Sequence, residues 1–271
     1  MLAQQIIVDI TGGEPAMDQE RFLTACETII KQRRETAGIG TLSEKTLHAV
    51  LKHYFSPDPE THEVPAGRFV ADILCADGII EIQTRGFNRL RDKLAYFLTL
   101  GVVTIVYPVA HTKWISWIDQ ETGEVTKKRK SPKTGTAYEV LYELYKIKPL
   151  LCHPNLRLHV LLIDVEDYRL LNGWSYDKKR GSTRGERIPL ALADEVCIKA
   201  PAQYAQLIPD SLVCPFTSKD YAAATRLSLH SAQTALNVLS TVGVLCKIGK
   251  RGRLHLYQRT EKCADTAPGT Q

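Results

Sequence analysis

The chain has 271 residues, of which 44% are hydrophobic and 24% charged, and its formal net charge is +5. These values are those of a globular protein with one large domain or two, and the mild positive charge favours an anionic partner. The seven cysteines are odd in number and include no Cys-x-x-Cys. They therefore indicate neither a disulfide framework nor a zinc site, and a reducing cytoplasm is the expected location. No apolar run reaches the length of a membrane span.

The first informative element is a predicted helix from Ser43 to Phe55. Ser43 is suited to the N-cap, and apolar residues recur at helical spacing: Leu47, Val50, Leu51 and Tyr54. Glu44 lies on the edge of this inward stripe. It is either a site residue or an acid that favours the first turn of the helix electrostatically.

A β-hairpin is predicted next, because apolar runs flank the pair Asp77-Gly78, which is typical of a two-residue turn. This turn sets Asp72 opposite Gln83. Since side chains alternate with period two, Asp72, Glu81 and Gln83 share one face, and the first two are diagonal neighbours roughly 7 Å apart. The opposite face carries residues that suit a core: Ile73, Cys75, Ile80 and Ile82.

The acidic face of the hairpin allows two interpretations. Alternating acids are common on half-solvated strands and need no further explanation. These strands, however, are apolar on nearly both sides, which favours a buried position, and a buried carboxylate needs a partner. Asp72 and Glu81 are close enough to share one hard divalent cation.

The following elements complete an α/β pattern. A helix is predicted from Gly86 to Leu98, with basic residues in its first turns that either face solvent or hold phosphates: Arg85, Arg89, Arg91 and Lys93. The β-branched run Val102–Tyr107, ended by Pro108, predicts a buried strand of a mixed or parallel sheet covered by helices. A further strand is expected at 114–118.

Asp72, followed nine positions later by Glu81-Ile82-Gln83, resembles the catalytic signature of the PD-(D/E)xK nuclease superfamily, which has the restriction-endonuclease-like fold. The resemblance covers about residues 40–120. It implies Asp72 and Glu81 as ligands of Mg²⁺ or Mn²⁺, with the main-chain carbonyl of Ile82 as a further ligand and Glu44 as an additional acid. The usual Lys is replaced here by Gln83. This amide can hold a water molecule but has no proton to trade near neutral pH.

The C-terminal part contains a second pattern. Two helices, Phe216–Leu227 and His230–Val242, precede strands at 244–248 and 254–258 that are joined by a basic, glycine-containing turn. This order resembles a winged helix-turn-helix domain, which binds DNA or protein. For DNA, the resemblance implies outward groove-facing residues on the second helix and phosphate contacts from the turn: Ser231, Gln233, Thr234 and Asn237, then Lys250, Arg251 and Arg253.

The predicted organisation is a nuclease-like domain (1–190), a helical linker (191–211), a winged-helix domain (212–260) and a disordered tail (261–271). The expected function is metal-dependent endonuclease activity on DNA, in a restriction, defence or repair setting, and a homodimer or a larger defence complex stays open. One alternative is a nuclease fold without catalysis that serves as a DNA-binding or assembly factor. Another is a transcriptional regulator in which Asp72 and Glu81 are incidental.

Overall fold

The computed structural model describes residues 17–36, 45–119, 121–171 and 183–260. Six α-helices lie within these ranges: α1 Gln19–Thr36, α2 Lys45–Phe55, α3 Phe87–Leu100, α4 Val140–Leu144, α5 Ser218–Thr225 and α6 Leu229–Thr241. Short 3₁₀ turns are formed by Pro59–Thr61, Ala137–Glu139, Tyr145–Leu150 and Pro201–Leu207. None of the described helices is both long enough and apolar enough to cross a membrane.

Nine strands are described: β1 His62–Ala66, β2 Phe69–Cys75, β3 Gly78–Ile82, β4 Val103–Asp119, β5 Arg129–Lys130, β6 Leu156–Leu171, β7 Thr183–Ile198, β8 Leu245–Arg251 and β9 Leu254–Arg259. The first seven form one sheet in the order β1-β2-β3-β4-β6-β7, with β5 beside β4. The β3–β4 and β4–β6 pairs are parallel and the others antiparallel. The predicted mixed α/β sheet flanked by helices is therefore confirmed.

The sheet is covered on both faces, which explains its nearly continuous apolar strands. On one face, α1 and α2 pack through Phe22, Val50 and Leu51 onto β3 and β6 residues such as Ile80 and Leu161. On the other face, α3, α4 and the C-terminal helices bury a second and larger cluster. The acidic hairpin β2–β3 thus lies between two helical layers.

Strand β4 is longer than predicted because Pro108 does not end it. The carbonyls of Val102 and Val106 accept hydrogen bonds from Ile79 of β3 and from Gln83, which follows it. Alternate residues of β4, including Pro108, therefore face this side. Strand β3 ends at Ile82, opposite Val106. The missing N–H of Pro108 therefore falls where β4 has no β3 neighbour, and the strand continues through a bulge between Ala110 and Lys113.

The prediction of a helical linker at 191–211 was wrong over the first part of this range. Residues 183–198 form β7, which pairs along β6 as the last strand of the sheet. Alanine and glutamate in this segment favour a helix, but the pairing with β6 overrides that local preference. Pro189 is accommodated because β7 is an edge strand.

The C-terminal segment has the predicted order of helix, helix and hairpin. Thr217 caps α5 by accepting a hydrogen bond from the Asp220 N–H, and β8 pairs antiparallel with β9. The segment is not separated from the sheet domain, because Leu236 and Leu239 of α6 belong to the same buried cluster as Leu141 of α4. The predicted tail at 261–271 lies outside the described residues.

The start of α3 is fixed by a glutamate from α4. Glu143 Oε2 accepts hydrogen bonds from the N–H groups of Gly86 (2.9 Å) and Phe87 (3.0 Å). These donors have no partner within the helix, and the carboxylate charge complements the positive end of the helix dipole. Lys146 Nζ, 2.9 Å from Glu143 Oε2, balances the charge of this buried acid.

We expect Glu143→Ala to lower the free energy of unfolding by about 2 kcal/mol, since two buried N–H groups lose a charged acceptor. Chemical denaturation of the purified protein measures this difference. The exposed Glu121 provides the control, and Glu121→Ala should change the free energy by less than about 0.5 kcal/mol. Equal effects of the two substitutions would contradict the capping role of Glu143.

Candidate active site

The turn of the hairpin differs from the prediction. Cys75 lies opposite Gly78, so the two-residue turn is formed by Ala76 and Asp77 instead of Asp77-Gly78. The glycine has a different role, since a Cβ at position 78 would lie 2.4 Å from the carbonyl oxygen of Val102. Gly78, with φ of 110°, therefore allows the close approach of β3 to the start of β4.

The corrected register brings the two acids closer than predicted. Ile73 pairs with Ile80, and the same register continued by one residue sets Asp72 directly opposite Glu81. The shift from the predicted register is two residues, an even number, so both side chains keep their common face. Directly opposed residues have shorter Cβ separations than diagonal ones.

The carboxylates replace backbone carbonyls where the two strands separate. Ile73 and Ile80 are the last backbone pair of β2 and β3 among the described residues on this side. Beyond it, the Asp72 N–H donates to Glu81 Oε1 (3.2 Å) and the Ile82 N–H donates to Asp72 Oδ2 (2.8 Å). Each acid is thus anchored by the backbone of the opposite strand, which fixes the two carboxylates beside each other.

Glu81 is almost completely buried, with 2% of its surface exposed. Burial, and after it the negative charge of Asp72, raise the pKa of Glu81 to about 7 against the opposing hydrogen bond and charge of Lys93. Lys93 belongs to α3, and its Nζ lies 2.6 Å from Glu81 Oε2. A cation from the helical layer therefore compensates the charge of the acid in the sheet.

Asp72 has its own basic neighbour, from the opposite helical layer. His48 of α2 has its Nε2 3.2 Å from Asp72 Oδ2. Burial acts to raise the pKa of Asp72, but the hydrogen bond and charge of His48 outweigh it, with help from the Ile82 N–H, and the pKa is lowered. The two acids therefore differ: near neutral pH, Asp72 is ionised, whereas Glu81 titrates in this range.

The remaining sequence-predicted residues of this site occupy different positions. Gln83 follows β3, and its side-chain nitrogen donates to the Arg85 carbonyl (2.7 Å), so its amide is engaged by its own turn. Ile82 is buried in the core on the α2 side. Glu44 lies outside the described residues, as does Ser43. Glu63, a further acid near Asp72, pairs with Lys52 of α2 at 2.6 Å.

The sequence alone predicted no site role for His48 and placed Lys93 among basic residues that either face solvent or hold phosphates. A usable signal was present in the helical spacing. Lys93 stands three residues after Leu90 and four before Phe97, both buried, so it lies on the inward stripe of α3. His48 and Lys52 are similarly one turn apart on the face of α2 that meets the hairpin.

The predicted DNA-contacting residues separate into two groups. On α6, Asn237 accepts a hydrogen bond from Lys148 (3.0 Å), the Thr234 hydroxyl donates to the His230 carbonyl, and Ser231 lines a cleft. Gln233 and Asn237 are exposed, whereas Ser231 and Thr234 are half-buried. We use the name basic tip for the second group, which is exposed at the turn of the β8–β9 hairpin: Lys250, Arg251 and Arg253.

The cleft lies away from the acids, between the sheet domain and the α5–α6 turn. Its volume is about 470 Å³, and its wall includes Tyr107, Tyr138, Glu143 and Arg226. Glu143 is committed to the start of α3. We place the candidate chemistry at Asp72 and Glu81, because opposed carboxylates with shifted pKa values, one buried and one half-buried, are more typical of a reactive site than cavity size is.

The raised pKa of Glu81 predicts a pH-dependent stability. Its value changes from 4.5 to about 7 on folding, so the folded protein binds more protons than the unfolded chain between these values. We expect the free energy of unfolding to decrease as the pH rises through this window, by on the order of 3 kcal/mol. The lowered pKa of Asp72 acts in the opposite sense, below pH 3.8.

Urea denaturation at several pH values, on the wild type and on Glu81→Gln, measures this contribution. The variant has no titratable group at position 81, so its free energy of unfolding should not show this decrease between pH 4.5 and 7. Identical pH profiles for the two proteins would show that Glu81 titrates normally in the folded state.

Comparisons with known proteins place this chain in a family. A family model described as "Domain of unknown function (DUF8091)" matches residues 45–199, more than half of the 271-residue chain. A protein of Treponema pallidum (strain Nichols), described as an uncharacterized protein, is 31% identical over 229 residues, which cover 82% of this chain and 87% of the relative. No solved structure matches the chain. The matched region includes α2, the acidic hairpin, α3 and the long strands of the sheet, and the chain belongs to the DUF8091 family.

Proposed function

We propose that this protein is a metal-dependent nuclease that hydrolyses phosphodiester bonds of DNA. The observation that carries the proposal is the convergence of the Asp72 and Glu81 carboxylates where β2 and β3 separate. The order of elements adds support, since a helix, an acidic hairpin, a second helix and a parallel strand also form the core of the PD-(D/E)xK superfamily. This superfamily relationship is part of the proposal.

The donor set suits a hard divalent cation. Asp72 and Glu81 offer carboxylate oxygens and Ile82 offers a main-chain carbonyl, which are the ligand types that Mg²⁺ and Mn²⁺ prefer. Burial and the repulsion by Asp72 raise the pKa of Glu81, and such a cation would relieve both. When bound, the metal ion polarises a phosphate and lowers the pKa of a bound water.

Lys93 provides the positive charge that the superfamily signature usually has at the position of Gln83. Its Nζ reaches Glu81 from α3, and 22% of its side chain is exposed, so a phosphate can approach it from solvent. An ammonium group beside the acids stabilises negative charge that develops on a phosphate. His48 has a positioning role, because its hydrogen bond orients the Asp72 carboxylate.

Cleavage of plasmid and linear duplex DNA with Mg²⁺ or Mn²⁺ tests the proposal. We expect Asp72→Asn and Glu81→Gln to reduce cutting to background, because each removes a charged ligand of the cation. Lys93→Met should lower the rate on the order of a hundredfold. Gln83→Ala should cost only a small fraction of that loss, since the Gln83 amide is directed to the Arg85 carbonyl.

The same variants must retain DNA affinity and a folded circular-dichroism spectrum. Cutting that survives Asp72→Asn or Glu81→Gln would rule out the proposed metal site. A large loss of cutting in Gln83→Ala together with a negligible loss in Lys93→Met would contradict the role assigned to Lys93.

We further propose that the C-terminal segment is a winged helix-turn-helix that guides the nuclease to DNA through its basic tip. The exposed cations there suit phosphate contacts, which do not depend on base sequence. The face of α6 supports base reading less well, since Asn237 is held by Lys148 and Ser231 and Thr234 are half-buried. Sequence-independent attachment to the duplex backbone therefore fits the described contacts best.

DNA affinity measured at several salt concentrations distinguishes these modes. Neutralising the basic tip by replacing Lys250, Arg251 and Arg253 with Ala should reduce the salt dependence of binding by up to about three phosphate equivalents. Gln233→Ala is the uncharged control and should leave the slope unchanged. An unaltered slope after neutralisation would exclude the basic tip as a phosphate contact.

A second function is favoured by one specific observation. The Lys93–Glu81 ion pair and the Gln83–Arg85 hydrogen bond satisfy the polar groups of the site from within the chain, as expected for a nuclease fold that has lost catalysis and serves as a DNA-binding or assembly factor. The two functions differ in a simple respect. The inactive factor binds DNA equally well with and without Mn²⁺ and leaves it intact.

A further inference from the structure

A second set of metal-ligating side chains lies on β6 and β7, separated from the acidic hairpin by β4 in the sheet order. His159 of β6 is paired with Cys197 of β7. Glu195 stands two residues before Cys197, so it projects from the same face of β7. One ligand atom from each of these three residues lies within 4.8 Å of the others.

We propose that His159, Glu195 and Cys197 form a Zn²⁺-binding site. An imidazole nitrogen, a carboxylate oxygen and a thiolate sulfur are the three donor types that zinc uses in proteins, whereas Mg²⁺ and Ca²⁺ rarely accept sulfur. Three protein ligands leave one tetrahedral position for water. The chemistry of this set therefore differs from that of the all-oxygen pair at Asp72 and Glu81.

The distances are close to those that zinc requires. Zinc bonds of about 2.0–2.3 Å in a tetrahedron separate neighbouring ligand atoms by roughly 3.3–3.7 Å. His159 Nε2 and Glu195 Oε2 are 2.8 Å apart, and the full set spans at most 4.8 Å. Movements on the order of 1 Å, within the range of side-chain rotation, are enough to seat the ion.

The surroundings of His159 hold its ring in place for ligation. Its side chain is 8% exposed, and its ring packs edge-on against Phe55 with centroids 5.4 Å apart, so packing sets the plane of the ring before any ion arrives.

The competing explanation of this cluster is a hydrogen bond between His159 and Glu195, in which Cys197 is not a ligand. Titration of the full-length protein with Co²⁺ under reducing, oxygen-free conditions separates the two. Cobalt bound to a thiolate has a charge-transfer band in the near ultraviolet, while cobalt bound only to oxygen ligands lacks it. Co²⁺ at Asp72 and Glu81 therefore does not contribute, and the result is independent of the proposed nuclease function.

We expect a thiolate band that saturates at one equivalent of Co²⁺ and disappears when Zn²⁺ is added. Cys197→Ser should abolish the band, and the matched control Cys152→Ser, at an exposed cysteine, should retain it. Glu195→Gln keeps a polar side chain of the same size beside His159 and should weaken Co²⁺ binding at least about tenfold.

Two results would overturn the zinc site. One is the absence of a thiolate band in the folded wild type, and the other is a band that persists in Cys197→Ser. If Cys197→Ser fails to fold, Glu195→Gln decides the matter: unchanged Co²⁺ affinity in that variant excludes the carboxylate as a ligand and with it the proposed site.

Discussion

The arrangement of this protein depends on two carboxylates that face each other inside a sheet. Like charges that lie close together repel strongly in a medium of low polarity. Glu81 is almost completely buried and the side chain of Asp72 is only 21% exposed. The chain compensates with a basic side chain beside each acid, Lys93 for Glu81 and His48 for Asp72. Backbone N–H groups of the opposite strand complete the set.

These contacts connect the three layers of the fold. His48 arrives from α2 on one face of the sheet and Lys93 from α3 on the other, so the acids hold both helices in register with the hairpin. Glu143 fixes the start of α3, only a few residues before Lys93. A metal site requires such rigid support, because the ligand oxygens must keep their positions, despite their mutual repulsion, before the cation binds.

The same contacts define what a divalent cation would have to displace. Lys93 occupies one oxygen of Glu81, so a metal ion must move this ammonium group or share the carboxylate with it. A hard dication beside two carboxylates gains more electrostatic energy than one ammonium does, and the displaced Lys93 would stay within reach of a phosphate. The ion pair is compatible with a resting state and equally with an inactive relative, which is why activity and metal binding must be measured separately.

The local patterns of the sequence predicted more of this structure than the long-range ones. The juxtaposition of Asp72 and Glu81 was predicted despite an error in the turn, because a shift of two residues preserves side-chain parity. The formation of strand β7 and the continuation of β4 beyond Pro108 depend on the neighbouring strands. Local propensities therefore could not predict them. Lys93, His48 and the His159–Cys197 pairing are brought in by tertiary packing, so motif spacing alone did not reveal them.

The most direct test of the central claim is the structure of the protein crystallised with saturating Mn²⁺, with the ion located by its anomalous scattering. The account predicts an anomalous peak bonded to carboxylate oxygens of both Asp72 and Glu81, with Lys93 moved away from Glu81. An intact Lys93–Glu81 pair, with no anomalous peak between the two acids at saturating Mn²⁺, would contradict it.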